Sequence, residues 1–287
     1  MSARADGSAA AREAIARNPL WYHTIDVAPG VATPGVFDLR PVAGHLPWPD
    51  VRGKRCLDVG TYDGFLAFEL ERRGAAEVVA TDIADHAEWD HEVRLGPQSA
   101  ELLETIAGEK GAGFEIARGL LGSSVEKIEI NAYDLAPEHV GEFDVVVCGS
   151  LLLHLRDPLR ALAAIRSLCR DAFLSIEQVD FLLTRIHPRR PLARIDGTSG
   201  AGQWWVANAA GHARLLEAAG FDVERRTPMY MEPLGVGHPR RGEGVREASA
   251  AEAPSPGWAP RRARAAVARL LGRGDGVPHA AALGRRA

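Results

Sequence analysis

Cysteine is scarce in this 287-residue chain, and the three present, Cys56, Cys148 and Cys169, sit in apolar patterns without paired spacing. That argues against a disulfide framework or a cysteine metal set, and reads them as small buried hydrophobes in a reducing compartment. Lysine is as scarce: three lysines among 34 basic residues leave 31 arginines, a bias that reflects genome composition more than function. Charge of one sign is also missing. With 38 acidic and 34 basic residues the net charge is −4, which gives no global attraction to nucleic acid or to an anionic membrane. No apolar run approaches membrane-spanning length, and residues 1–20 carry no hydrophobic signal core, so a soluble cytoplasmic protein is expected. The Asp, Glu and His residues between 82 and 92 form no recognisable ligand set, and no metal is expected.

What the chain has is one concentrated signal, Arg55-Cys-Leu-Asp-Val-Gly-Thr-Tyr-Asp-Gly-Phe65, followed by an amphipathic run and by Glu77-Val-Val-Ala-Thr-Asp-Ile83. Cys56, Leu57 and Val59 read as a buried parallel strand. Gly60 and Gly64 allow a tight turn that brings backbone close to a ligand. A helix starting near Asp63-Gly64 has Phe65, Phe68 and Leu70 on its apolar face and stops near Gly74. Asp82 ends the next strand, 24 residues after Asp58, where an acidic side chain can accept both hydroxyls of a ribose. The unit is strand, glycine turn, helix, strand: a nucleotide-binding βαβ. Its glycines are spaced Gly60-x-x-x-Gly64, unlike the dinucleotide Gly-x-Gly-x-x-Gly. Further strands are predicted at Ile128–Ile130, Phe143–Gly149 and Ala172–Ile176, and Pro158 opens a helix carrying Leu159, Leu162, Ile165 and Leu168.

The Asp58-x-Gly60-x-x-x-Gly64 pattern resembles motif I of the class I S-adenosylmethionine methyltransferases, and the resemblance covers about residues 53–226. It implies an α/β, Rossmann-like fold: a central, mostly parallel seven-stranded sheet with helices on both faces. It also implies S-adenosylmethionine as cofactor. By the same resemblance Asp58, Gly60, Thr61, Tyr62 and Gly64 cradle the methionine end, Asp82 the ribose, Ile83 the adenine face and Tyr133-Asp134 the adenine edge, with Ser150 and Leu151 closing the site. The combination Trp21-Tyr-His-Thr-Ile25, Thr33-Pro-Gly35, Phe37-Asp38 and His154-Leu-x-Asp-Pro-Leu159 looks like a bacterial group distantly similar to the tRNA wobble-uridine carboxymethyltransferases, which use a carboxylated S-adenosylmethionine. This chain departs from them in its short N-terminal arm, in Thr61-Tyr62 after the first motif glycine, and in its acidic balance.

Residues 1–49 are expected to form a helix and an arm over the active site, and 50–233 the cofactor-binding domain with a lid at 181–205. Residues 208–219 read as a helix, 221–226 as a sixth strand and 229–232 as a seventh. From 234 to 287 the Gly, Pro, Ala, Arg and Ser content predicts a disordered tail, with a short basic helix at 260–272. His154, His23 and Glu177 are candidate bases for methyl transfer, and Asp180 follows Glu177 beyond the same strand; each also has a plain packing or strand-end reading. Trp21, Tyr22, Trp204, Trp205 and Arg185 are candidate acceptor contacts, and the arginines around Arg185 also fit a solvated loop. The expected activity is methylation of an oxygen or nitrogen of a small molecule, a sugar or secondary metabolite. A tRNA-modifying enzyme and a non-catalytic cofactor-binding partner protein are the alternatives.

Overall fold

The computed structural model describes residues 2–91, 110–195, 202–238 and 276–287. Its centre is an eight-stranded sheet. Four of its strands form the parallel core: β3 (Arg55–Val59), β4 (Glu77–Asp82), β6 (Phe143–Gly149) and β7 (Cys169–Gln178). β3 lies between β4 and β6, β7 pairs in parallel with β6, and β5 (Glu126–Glu129) extends the sheet beyond β4. Their residues are apolar on both faces because both faces are covered. Cys56, Val145, Val147 and Leu174 point into one hydrophobic cluster, and Leu57, Val146, Cys148 and Phe173 into the other.

The helices divide between those clusters. α1 (Ser2–Ala16), α3 (Phe65–Arg72) and α4 (Ala112–Leu121) cover the first, through Ala11, Ile15, Leu66 and Phe114. α6 (Pro158–Leu168) and α8 (Ala209–Ala218) cover the second, through Leu162, Ile165 and Leu216. Pro158 stands in the first turn of α6, and the Asp157 side chain accepts from Arg160 N at 3.0 Å. The short helices α2 (Arg40–Ala43), α5 (Pro137–Val140) and α7 (Phe181–Ile186) decorate the connections. The 181–205 segment, expected to be a lid, holds α7 and β8 (Ala193–Ile195), which pairs with β9 (Trp205–Ala207) at its end; residues 196–201 lie outside those described.

The largest departure from expectation is at the C-terminus. Val277–Arg286 is β12, a strand inside the sheet, antiparallel to β7 on one side and to β10 (Phe221–Arg226) on the other. The seven-strand order is therefore β5-β4-β3-β6-β7-β12-β10. The segment predicted as the seventh strand is only β11 (Tyr230–Glu232), which pairs with the start of β12. Ala280, Ala281, Ala282 and Gly284 made this stretch look like low-complexity tail, yet small residues suit a central strand covered on both faces. Pro278 is tolerated near the strand's start. The basic helix expected at 260–272 lies outside the described residues.

The N-terminal arm is built from a hairpin, β1 (Asp26–Ala28) with β2 (Val31–Ala32), and from bridges His23 to Phe37 and Phe37 to Leu234. Chains cross closely here. A Cβ on Gly35 would fall 2.1 Å from the His23 carbonyl carbon, so glycine is required by space.

Leu283 is fully buried in β12, opposite Leu174 of β7. Leu283→Ala is expected to lower stability by about 3 kcal/mol in urea denaturation. A loss within about 0.5 kcal/mol, typical of a surface site, would return the C-terminus to a dispensable tail.

Candidate functional site

Parallel strands open a crevice beyond their carboxyl ends, and the turns after β3 and β6 meet there. The turn after β3 doubles back on β4: Gly60 N and Thr61 N both donate to the Thr81 carbonyl, at 2.8 and 3.1 Å. Gly60 and Gly64 hold φ of +74° and +97°, and Tyr62 holds +51°, the left-handed region that an L side chain rarely adopts. Space adds to the demand at Gly64, where a Cβ would sit 2.5 Å from the Phe68 ring. The turn after β6 carries the second non-glycine residue in that region, Ser150 at +49°. Leu151 from this turn packs against the first, 3.0 Å from where a Cβ on Gly60 would be.

Four buried or half-buried carboxylates define the electrostatics. Asp58 takes a hydrogen bond from Thr61 Oγ1 at 2.7 Å, while its Oδ1 is sealed from solvent without a partner among the described residues. Burial pushes its pKa up to about 7, against the Thr61 hydrogen bond and the nearby His23. Asp82 accepts from Tyr62 N at 2.8 Å and Ile83 N at 2.9 Å, and pairs with the buried Lys110 ammonium. Glu177 Oε1 accepts from Leu151 N and Leu152 N, both at 3.1 Å, and burial pushes its pKa up to about 8. Its carboxyl thus braces the Ser150 turn.

Asp63 is the fourth, and it fastens the N-terminal arm. Its Oδ2 accepts from Tyr22 N at 2.8 Å and His23 N at 2.9 Å, and Oδ1 meets His23 Nδ1. Burial opposes a charge on His23, but the Asp63 carboxylate and its hydrogen bond raise the imidazole pKa overall. His154 has the reverse environment. Burial lowers its pKa, and Nδ1 donates to the Gly202 carbonyl at 2.7 Å, leaving Nε2 as the acceptor.

The predicted adenine side is mixed. Ile83 is buried beside Asp82, but the Asp134 carboxylate is exposed and pairs with Arg160 at 3.5 Å. Tyr133 donates its hydroxyl to Asp90 at 2.5 Å and stacks under Arg160. Both ring nitrogens of His86, buried near Tyr62, lack partners among the described residues. Among the predicted acceptor contacts, Tyr22 faces His23, Phe37 and Tyr62. Trp21 differs from expectation: it lies in the core, 2 % exposed, with Nε1 on the Ile15 carbonyl, because α1 folds over it. Arg185 is exposed on α7. Trp204 donates to the Asp90 carbonyl at 2.7 Å under the Arg156 guanidinium, and Trp205 donates to the Arg156 carbonyl at 2.9 Å. Asp180 caps α7 by accepting from Leu183 N at 2.8 Å.

Sequence reasoning missed Asp63, Lys110, Glu232 and His279. Asp63 sat in the motif but was read only as a helix start. His279 comes from β12; its Nδ1 donates to the Val277 carbonyl and its Nε2 stands 3.0 Å from Ser150 Oγ and 3.6 Å from Glu232. Nothing local in the sequence links residue 279 to residue 150.

A family model described as a methyltransferase domain matches residues 39–225. A ubiquinone biosynthesis O-methyltransferase of Thiobacillus denitrificans is 29% identical over 210 residues, covering 69% of this chain and 78% of that protein. The enzyme of the same name from Neisseria meningitidis serogroup C is 32% identical over 203 residues, covering 66% and 73%. Among solved structures, the N-terminal domain of EvdMO1, crystallised in the presence of SAH and D-fucose, has a TM-score of 0.50 at 14% identity, covering 97% of this chain and 96% of that one.

Because His23 has its pKa raised by Asp63, their pairing stabilises the fold below the unfolded histidine value and fades as pH rises through the folded one. Asp63→Asn should therefore cost about 3 kcal/mol at pH 6 and clearly less at pH 9, by denaturation at each pH. An equal loss at both would show that His23 carries no charge in the fold.

Proposed function

From the premise that this chain belongs to the S-adenosylmethionine-dependent methyltransferases, the family whose domain model spans residues 39–225, we propose that it methylates an oxygen of a small molecule, with His154 as general base. The relatives named above, O-methyltransferases of ubiquinone biosynthesis, support an oxygen acceptor and suggest a phenolic one. Methylation at nitrogen, or of a sugar or other secondary metabolite, is the broader form of the same reading.

The residues present fit the cofactor. The unpartnered Asp58 Oδ1 suits the ammonium of its methionine end, and the glycine turn leaves room for close backbone approach. Asp82 suits the ribose and Ile83 the adenine face; the two nitrogens of His86, without partners among the described residues, suit further contacts on that side. The exposed Asp134 carboxylate, paired with Arg160, fits adenine less well than the resemblance implies.

S-adenosylmethionine, when bound, supplies an electrophilic methyl on a sulfonium. The protein's part is to hold the acceptor in line, exclude water and take a proton. The observation that carries the assignment of the base is the Gly202 carbonyl on His154 Nδ1. That bond fixes the tautomer, and burial keeps the ring neutral near pH 7, so Nε2 is ready to receive the acceptor's proton as its oxygen attacks. His23 is the less suited base, since Asp63 favours its protonated form. On this reading Tyr22, beside Tyr62, and Trp204 and Trp205, bonded to Asp90 and Arg156, are the aromatic surfaces for a flat or apolar acceptor.

The test is SAH release from the full chain with S-adenosylmethionine and a panel of catechols and sugars, beside calorimetric binding of S-adenosylmethionine, its carboxylated form and NAD. His154→Ala should lower turnover by roughly 10²-fold with cofactor affinity unchanged. Asp82→Ala should weaken cofactor binding by about 1–3 kcal/mol. Turnover of His154→Ala at the wild-type rate would remove it as the base. Cofactor binding with no release on any acceptor would favour a non-catalytic role, and preference for the carboxylated donor would favour carboxymethylation of tRNA.

A further inference from the structure

Asp82 in this fold already has three donors. Its Oδ2 accepts from Tyr62 N and its Oδ1 from Ile83 N, and Lys110 adds an ammonium to Oδ1. Lys110 is 8 % exposed, an unusual depth for lysine, and its Nζ stands 5.0 Å from the centre of the Tyr62 ring. The residue is not placed there by chance contact of a loose side chain. It directly precedes Gly111, the cap of α4, and α4 is anchored in the core by Phe114 and Ala117, both fully buried. Lys127 packs beneath the same turn, its Nζ 2.4 Å from where a Cβ on Gly111 would be. The only counter-charge in contact with the Lys110 ammonium among the described residues is Asp82.

We propose that Lys110 is an affinity-setting residue for the cofactor: its ammonium competes with the ribose hydroxyls for Asp82, and binding requires it to swing away. The inference rests on the reading of Asp82 as the ribose-binding carboxylate. A ribose diol needs lone pairs on that carboxylate, and the ammonium takes up one on Oδ1, beside the Ile83 amide. The exchange replaces one charge-assisted contact by two neutral donors and forces the ammonium to find new partners, so Lys110 lowers affinity. In return it neutralises Asp82 before the cofactor arrives, since a half-buried carboxylate without a partner is costly. Burial also lowers the Lys110 pKa despite the neighbouring Asp82, which agrees with a cation held at a cost.

The test is calorimetric titration of the full chain with SAH, an inert probe that carries the same ribose, together with thermal melting without ligand. Lys110→Met should bind SAH about tenfold tighter and melt at a lower temperature when free. Lys110→Arg, whose guanidinium can grip Asp82 through two bonds, should bind SAH more weakly. In an Asp82→Asn background, Lys110→Met should bring no gain. Equal or weaker SAH binding by Lys110→Met would overturn the proposal, because it would make Lys110 a direct partner of the ligand or a bystander. Should that variant fail to fold, unchanged or tighter binding by Lys110→Arg would overturn it instead. Asp82→Asn binding SAH as the wild type does would sink the ribose assignment and this inference with it, whereas a weakened Asp82→Asn beside an unimproved Lys110→Met would sink this inference alone.

Discussion

The carboxylate of Asp63 is the point on which the site's construction turns. It sits in the glycine turn after β3 and accepts the main-chain N–H groups of Tyr22 and His23 besides the His23 imidazole. A buried carboxylate needs such partners, and two backbone amides in an arm without its own ladder there need acceptors as badly. Each requirement meets the other. The consequence is that a segment 40 residues upstream becomes one wall of the crevice, carrying Tyr22 against Tyr62 and His23 against Phe65. From that anchor the arm continues through Phe37 to Leu234, and so reaches the chain just after β11. Loss of the anchor would loosen both layers over the strand ends together.

How much of this was legible in the sequence follows from how local each signal is. The βαβ unit is local: Gly60, Gly64 and Asp82 have their roles within one stretch, and the structure puts all three at one sheet edge. The helix at Pro158 and the strand at Phe143 were equally readable, because periodicity and a proline speak for themselves. β12 was not. A central strand covered on both faces needs small and apolar residues, and Ala280-Ala-Ala282 with Gly284 satisfies that while also resembling a tail. Composition alone does not separate the two, since what decides is the slot between β7 and β10, which belongs to distant sequence. Trp21 failed for a related reason: an aromatic near a site reads as a wall, and only the position of α1 shows it to be core. Asp63 lay in plain view, but its partners lie 40 and 41 residues away.

Four acids share this edge, and their surroundings give them different states. Asp58 and Glu177 are buried with too little positive charge nearby, so their pKa values rise to about 7 and about 8. Asp63 and Asp82 each have a cation within contact, His23 and Lys110. The free chain therefore keeps its negative charge down by two routes, protonation and pairing. Both routes are reversible by a cationic ligand or by displacement of the paired cation. A site meant for a donor that carries a sulfonium and an ammonium gains from this: the carboxylates are present, but not exposed as bare charges before the ligand enters.

The two histidines complete the division. His23 stands on the arm and His154 after β6, and their partners differ in kind. A carboxylate on Nδ1 stabilises the imidazolium, as the raised pKa of His23 records. A backbone carbonyl on Nδ1 orients the ring without a comparable gain on protonation, and burial then keeps His154 neutral. For a group that must accept a proton near pH 7, the second arrangement places the lone pair of Nε2 in a fixed direction. The first arrangement suits a structural ion pair. That asymmetry follows from what faces each Nδ1: a carbonyl that orients a neutral ring in the β6 turn, and a carboxylate that anchors the arm.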